Sequence, residues 1–182
     1  MRLMFASDIH GSAEDALKIK EIFLNSGADK LVLCGDLLYH GPRNDLPEGY
    51  NPKKVIEILN SLSDDIIAVR GNCEAEVDQM VLDFPVMADY VMLYDDKIRM
   101  YITHGHIYNP ENPMKLKKGD VIISGHTHVL KAEFNGDFYF LNPGSAALPK
   151  EGNPKTYMMY EDREFRVKTF DYEVVSKIEI KA

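Results

Sequence analysis

"RLMFASDIHGS", Arg2–Ser12, holds a short apolar run that stops abruptly at Asp8-Ile9-His10-Gly11. The run reads as a strand, and the segment after it reads as a helix. Ala16, Ile19, Ile22 and Phe23 recur at helical spacing, and Ser26-Gly27 supplies a stop. The same grammar then repeats. "LVLC" from Leu31 is a second strand, Pro52 opens a helix with Val55, Ile56, Leu59 and Leu62 on one face, and "IIAV" from Ile66 is a third strand. Strand, helix, strand, helix, strand predicts parallel pairing in an α/β sheet.

Two more apolar runs, "IRMYI" from Ile98 and "VIIS" from Val121, read as strands in a different context. Tyr90 to Tyr94 and Lys97 to Ile102 flank Asp95-Asp96, and Lys131 to Phe134 and Phe138 to Leu141 flank Asn135-Gly136, a hairpin turn signal. Thr156 to Tyr160, Phe165 to Phe170 and Val174 to Ile180 close the chain as further strands. The later chain is therefore expected to build a mostly antiparallel second sheet packed on the first. Between the second strand and second helix lies a long loop, "YHGPRNDLPEGYN", Tyr39–Asn51, and long loops in compact domains are often functional.

At 182 residues the chain is read as one domain, 1–182, with a substantial core. Its hydrophobic share of 45% and charged share of 27% are those of an ordinary soluble protein. A net charge of -8 argues against a broad basic surface, so no nucleic-acid partner is expected and phosphate chemistry would need local positive charge. No apolar run approaches the ~20 residues of a membrane helix, and a cytoplasmic protein without a membrane partner is the simplest reading. Cys34 and Cys73 form no CxxC pair, which argues against a zinc knuckle or a dense disulfide framework.

Chemistry gathers at the ends of the five runs. After them come "DIHG", "GD", "GN", "THGH" and "GHTH", which hold five of the six histidines. Open α/β sheets bind ligands outside the carboxyl ends of their strands, so these distant segments are expected to converge. Residues two apart in an extended segment point the same way, so Asp8 with His10, and His126 with His128, are each expected to face one centre. Imidazole, carboxylate and amide oxygen together suit manganese, iron, zinc, cobalt or nickel better than magnesium alone. Asp8, His10, Asp36, Asn72, His104, His126 and His128 are more ligands than one four-coordinate ion uses, and suffice for two ions if Asp36 bridges. Any one of them alone would more often be a strand-end cap than a ligand.

In this order, these motifs resemble the calcineurin-like metallophosphoesterases, and "MFASDIHGS", "HGPRN", "LPEGY", "AVRGNC", "EVDQM", "NPGS" and "GNP" are similar to the small bacterial phosphodiesterases of the YfcE type. The resemblance spans nearly the whole chain. It implies an α/β fold, a four-layer sandwich of two mixed β-sheets flanked by α-helices. It also implies a first metal held by Asp8, His10, Asp36 and His128, and a second by Asp36, Asn72, His104 and His126. Manganese as the working metal, homo-oligomers, and a small phosphate ester attacked by a hydroxide bridging two metal ions are further implications of the family.

Where many relatives keep a leaving-group histidine after the "GN" asparagine, this chain has Cys73. The thiol is read as a replacement residue, with nucleophile and metal ligand as the other readings. Asn72 and Cys73 are thus the catalytic candidates, and Asn72, His40 and His106 the candidate phosphate contacts, the last two weighed against ordinary loop histidines. Cys34, inside "LVLCGD", is read as a small buried hydrophobe. Arg43 and Arg70 are candidate sources of positive charge, and Asp78 and Gln79 candidate supports. The rivals to a phosphodiesterase are a scaffold that keeps the fold without the chemistry, and a nuclease or phosphatase of the same superfamily.

Overall fold

The structure is a computed structural model that describes residues 1–181. Among the described residues, eleven strands, three α-helices and one short 3-10 turn are arranged as two stacked sheets with helices alongside. The first half is built as its hydrophobic pattern predicts: β1 (Leu3–Ala6), α1 (Ala13–Ser26), β2 (Lys30–Leu33), α2 (Pro52–Asn60) and β3 (Ile66–Ala68). β1, β2 and β3 pair in parallel. α1 starts where Ser12 Oγ accepts the Asp15 N–H and ends at Gly27 in the left-handed region, φ 69°. That cap is worth roughly 0.5–2 kcal/mol. In α2 the fully buried residues are Val55, Ile58 and Leu59, whereas Ile56 lies on the flank, because the helix rotates slightly from the face the spacing indicated.

α3 (Glu76–Gln79) is a single turn leading to β4 (Tyr90–Asp95), β5 (Ile98–Thr103), β6 (Val121–Ile123), β7 (Lys131–Phe134) and β8 (Tyr139–Asn142). These five form one sheet in the order β4-β5-β6-β8-β7. It is mixed rather than mostly antiparallel: β4–β5 and β7–β8 are hairpins, while β5–β6 and β6–β8 pair in parallel. The last three strands, β9 (Thr156–Glu161), β10 (Glu164–Thr169) and β11 (Val174–Glu179), do not join them. They extend the first sheet, in the order β11-β10-β9-β1-β2-β3, with β9 antiparallel to β1. β1 would otherwise be an open edge, and an apolar strand buried on both faces cannot be left with unpaired backbone groups.

The central strands of the first sheet serve two cores. Met4, Ala6, Leu31 and Leu33 pack with Ala16, Ile19, Ile22, Val55 and Leu59 of the helices. Leu3, Phe5, Val32, Met158 and Tyr160 face Ile98, Met100, Ile102, Val121, Ile123 and Leu141 of the second sheet. The result is an α/β assembly of two mixed sheets with helices packed outside the first. No helix of the described residues is long and apolar enough to cross a membrane. The carboxyl ends of β1, β2, β3, β5 and β6 all open toward one region.

Candidate metal centre

Backbone hydrogen bonds zip the five strand ends together before any side chain is considered. Asp8 N donates to Gly35 O over 3.1 Å and His10 N to Asp36 O over 2.9 Å, joining the loops after β1 and β2. Gly125 N donates to His104 O over 2.9 Å, and His126 N donates to Asp8 Oδ2 over 3.1 Å, tying the two sheets at this edge. All seven residues singled out from the sequence meet here.

They fall into two clusters sharing one carboxylate. In the first, Asp8 Oδ1 is 3.3 Å from His128 Nε2 and 3.6 Å from His10 Nε2, and the two Nε2 atoms are 3.1 Å apart. In the second, His104 Nε2 is 3.1 Å from Asn72 Oδ1, 3.3 Å from His126 Nδ1 and 3.4 Å from Asp36 Oδ2. Asp36 Oδ2 is also 3.7 Å from His10 Nε2, so its carboxylate spans both. Asp8 and His10 face one centre as expected. His126 and His128 do not: His128 joins the first cluster and His126 the second.

The reason is the backbone. Asp8, His10, Asp36, His126 and His128 have φ of 56°, 49°, 56°, 67° and 60°, all in the left-handed region. An extended segment would alternate side chains; these residues instead turn sharply at each strand end and aim their donors individually. Such conformations cost on the order of 1–3 kcal/mol each and persist where surrounding contacts determine them. Two glycines show how tight the surroundings are. A Cβ on Gly71 would collide with Asp36 Oδ1, and one on Gly125 with Ser7 Oγ.

Three imidazoles are oriented by backbone carbonyls. His10 Nδ1 is 2.8 Å from Tyr39 O, His104 Nδ1 2.7 Å from Cys34 O, and His128 Nδ1 2.6 Å from Leu148 O. Each therefore donates from Nδ1 and turns Nε2 inward, the arrangement seen for metal-ligating histidines. Burial pushes the Asp8 carboxyl up, but the His10 and His128 imidazoles outweigh it and hold the group well below the usual carboxylate range. Burial opposes the charged form of His104, yet Asp36 and Asp8 raise it to about 9. Asp8 Oδ1 is buried and accepts no hydrogen bond. An orphaned carboxylate oxygen facing two imidazole Nε2 atoms is what a divalent cation would satisfy, so these residues fit a metal centre.

Three further side chains, given no role from the sequence, support the site. Glu74, 9% exposed, accepts from Asp36 N over 2.8 Å, Leu37 N over 2.7 Å and Gly71 N over 2.5 Å, clamping the loops that carry Asp36 and Asn72. Burial and the Asp36 carboxylate raise its carboxyl to about 7 against the pull of those amides. In "NPGS", Asn142 Nδ2 donates to Gly125 O over 2.8 Å and Ser145 Oγ to Asp8 O over 2.9 Å, holding the loops of both sheets.

The remaining candidates scatter. Cys73 is half-buried; its N–H donates to Asp36 Oδ1 over 2.9 Å and its Sγ accepts from Asn72 Nδ2 over 3.2 Å. Burial and Asp36 push the thiol well above its usual range, which removes an activated nucleophile. His106 lies with its ring 5.4 Å from that of His104, and burial lowers its pKa. His40 packs edge-on against Tyr39 and Tyr50, at 4.7 and 5.4 Å. A cavity of about 440 Å³ opens over Asp36, Asn72, His126 and His128, and Arg43, Asn44, Thr127 and Lys150 form its other walls. His40 and His106 are not among these lining residues. Arg70 is committed to Asp89 at 2.5 Å. Asp78 caps α3 through Ala75 N, and Gln79 binds the backbone of Leu82, Phe84 and Val86, so neither touches the cluster. Cys34 is buried between the sheets, as its apolar neighbours implied.

Known proteins share this sequence and fold. Over 162 residues, 89% of this chain and 88% of the relative, the sequence is 51% identical to phosphodiesterase YfcE of Escherichia coli K12. The solved structure of YfcE, described as a phosphoesterase from E. coli, superposes with a TM-score of 0.97, 47% identity and full coverage of both chains. Vacuolar protein sorting 29 from Cryptosporidium parvum shares the fold alone, with a TM-score of 0.65 at 17% identity over 98% and 97% of the two chains. Residues 1–164 match the calcineurin-like phosphoesterase superfamily domain. With that match and the 51% identity, the chain belongs to the calcineurin-like phosphoesterase superfamily and is a phosphoric ester hydrolase.

Proposed function

We propose that the chain is a metal-dependent phosphodiesterase that hydrolyses a small phosphate ester at a dinuclear centre. The observation that carries this reading is the pair of donor clusters sharing Asp36. Asp8, His10, Asp36 and His128 would hold the first ion, and Asp36, Asn72, His104 and His126 the second. Two bound ions supply an activated water and offset the charge that develops on the phosphoryl oxygens. Manganese is the working ion, and iron, zinc, cobalt and nickel suit the same donors.

The chain's own residues then position the ester. Asn72 stands between the second cluster and the cavity and contacts a non-bridging oxygen. Arg43 and Lys150 meet the anion at the mouth, the local positive charge that the acidic composition requires. His106, held neutral, offers a nitrogen beside the second cluster. His40 shapes the 39–51 loop that carries Arg43 rather than touching phosphate. Cys73 occupies the leaving-group side and gives little acid assistance, which favours diesters whose leaving group departs unaided.

The test is removal of metal by a chelator and readdition of manganese, assayed on a chromogenic phosphodiester. Turnover should vanish and return. Absence of turnover with manganese, cobalt, nickel and zinc alike would favour the alternative, a binding scaffold of the same fold. The complete donor set speaks against that alternative, and the net charge of -8 against a nuclease.

A further inference from the structure

The first metal position has a fifth donor within reach that the two-cluster scheme leaves out. One ligand atom each from His10, Asp36 and Cys73 lie within 4.8 Å of one another, next to the matching group of Asp8, His10 and His128. The backbone brings the thiol there: the Cys73 N–H is bonded to Asp36 Oδ1, so residue 73 cannot move away without releasing the shared carboxylate. On its other side the 39–51 loop closes over it, and a Cβ at Gly41 would lie 3.3 Å from Sγ.

We propose that Cys73 is a conditional ligand of the first ion, recruited by thiophilic metals and left free by manganese. The inference rests on the dinuclear reading above. Manganese prefers oxygen and nitrogen donors, whereas zinc, cadmium and cobalt form strong bonds to thiolate. When such an ion enters, a metal–sulfur bond forms, the thiol proton passes to solvent, and no atom is oxidised or reduced. Asn72 Nδ2, already donating to Sγ, compensates the charge on sulfur. Catalytic sites keep a coordination position open for water or substrate, and a fifth protein donor closes it. The same residue that weakens leaving-group assistance thus discriminates between ions: manganese supports turnover, and soft ions are held in a form with less room for the ester.

The experiment loads metal-free protein with two equivalents of cobalt and records the near-ultraviolet sulfur-to-cobalt charge-transfer absorption alongside the visible bands of bound cobalt. Wild type and Cys34→Ala should both show the charge-transfer band. Cys73→Ser should lose it while still binding two cobalt ions. A wild-type protein that binds both ions without the band, or a band that survives in Cys73→Ser, overturns the inference and leaves the dinuclear reading intact. Failure to bind cobalt at all overturns both. A second measurement needs no variant: alkylation of Cys73 by iodoacetamide, followed by peptide mass, should be slowed roughly tenfold by cadmium relative to manganese, because a metal-bound sulfur is a blocked nucleophile. Equal rates with the two ions overturn the inference.

Discussion

His10 Nε2 and His128 Nε2 stand 3.1 Å apart, and each ring has already committed its Nδ1 to a backbone carbonyl. Two inward lone pairs at that distance repel unless a proton or a cation lies between them. In the second cluster His104 is in the same position, with Asp36 Oδ2 at 3.4 Å from its Nε2. The metal-free protein therefore stores protons where metal belongs.

The first prediction is that metal uptake expels protons. His104 is raised to about 9 and His10 is also raised, burial opposing in both cases and the neighbouring carboxylates prevailing. His104 is thus protonated at pH 7 without metal, and the raised His10 imidazole leans the same way, so an ion must displace at least the His104 proton to reach its lone pair. Manganese affinity should rise with pH until His104 has lost its proton near 9. Calorimetry at pH 7 in two buffers of different ionisation enthalpy should give different heats, with one or more protons released. Identical heats would show that the clusters are already deprotonated.

A second prediction concerns Glu74→Gln. Glu74 accepts three backbone N–H groups with two carboxylate oxygens, and glutamine keeps one acceptor while pointing an amide donor at another donor. Leaving buried donors unpaired costs about 1–3 kcal/mol, which thermal unfolding of the metal-free protein should register. Outer supports of ligands typically contribute about 10–100-fold to metal affinity, and manganese binding should weaken on that scale. Turnover at saturating manganese should change much less. Unaltered manganese affinity would mean that the loops hold Asp36 without Glu74.

The contrast between Asp36 and Glu74 shows what the sequence could reveal. Asp36 follows an apolar run inside a Gly-Asp pair, and four similar junctions with the same chemistry make it stand out. Glu74 is one acidic residue in "NCEAEV", indistinguishable from its neighbour until the chain folds back over 38 residues to Asp36 N. Strand existence was legible for the same reason, since the apolar runs are unbroken. The partner of β9 was not. Tyr157 packs in the helix-side core, while Met158 and Tyr160 pack between the sheets. With both faces buried, periodicity carries no instruction about which sheet to join. The left-handed backbone at five of the proposed ligands was equally hidden, because aspartate and histidine there look the same as in an extended segment.

A third prediction tests the cavity mouth. Arg43 and Lys150 are exposed, so each should contribute only about 0.2–1 kcal/mol to holding an anionic ester, or roughly 1.5- to 5-fold in KM. Arg43→Ala and Lys150→Ala should raise KM at low ionic strength and leave kcat nearly unchanged. Exposed charges are screened by salt, so the difference should shrink as ionic strength rises. A KM that does not move in either variant would place the ester elsewhere.

The last prediction concerns the thiol beside Asn72. Burial and Asp36 keep Cys73 a neutral thiol at working pH, and a thiol is a weak donor to a departing alkoxide. Acid assistance typically contributes about 10²–10⁴-fold, a gain open to an imidazolium at the same position. Cys73→His should therefore raise turnover most on phosphomonoesters with basic leaving groups. On a diester that releases a stable phenolate the change should be small, because that leaving group needs no proton. The ratio between the two substrates, measured with both ions bound, is the decisive quantity. If the variant keeps its metals and the ratio is unchanged, the leaving oxygen does not depart toward residue 73, and assistance must come from another residue.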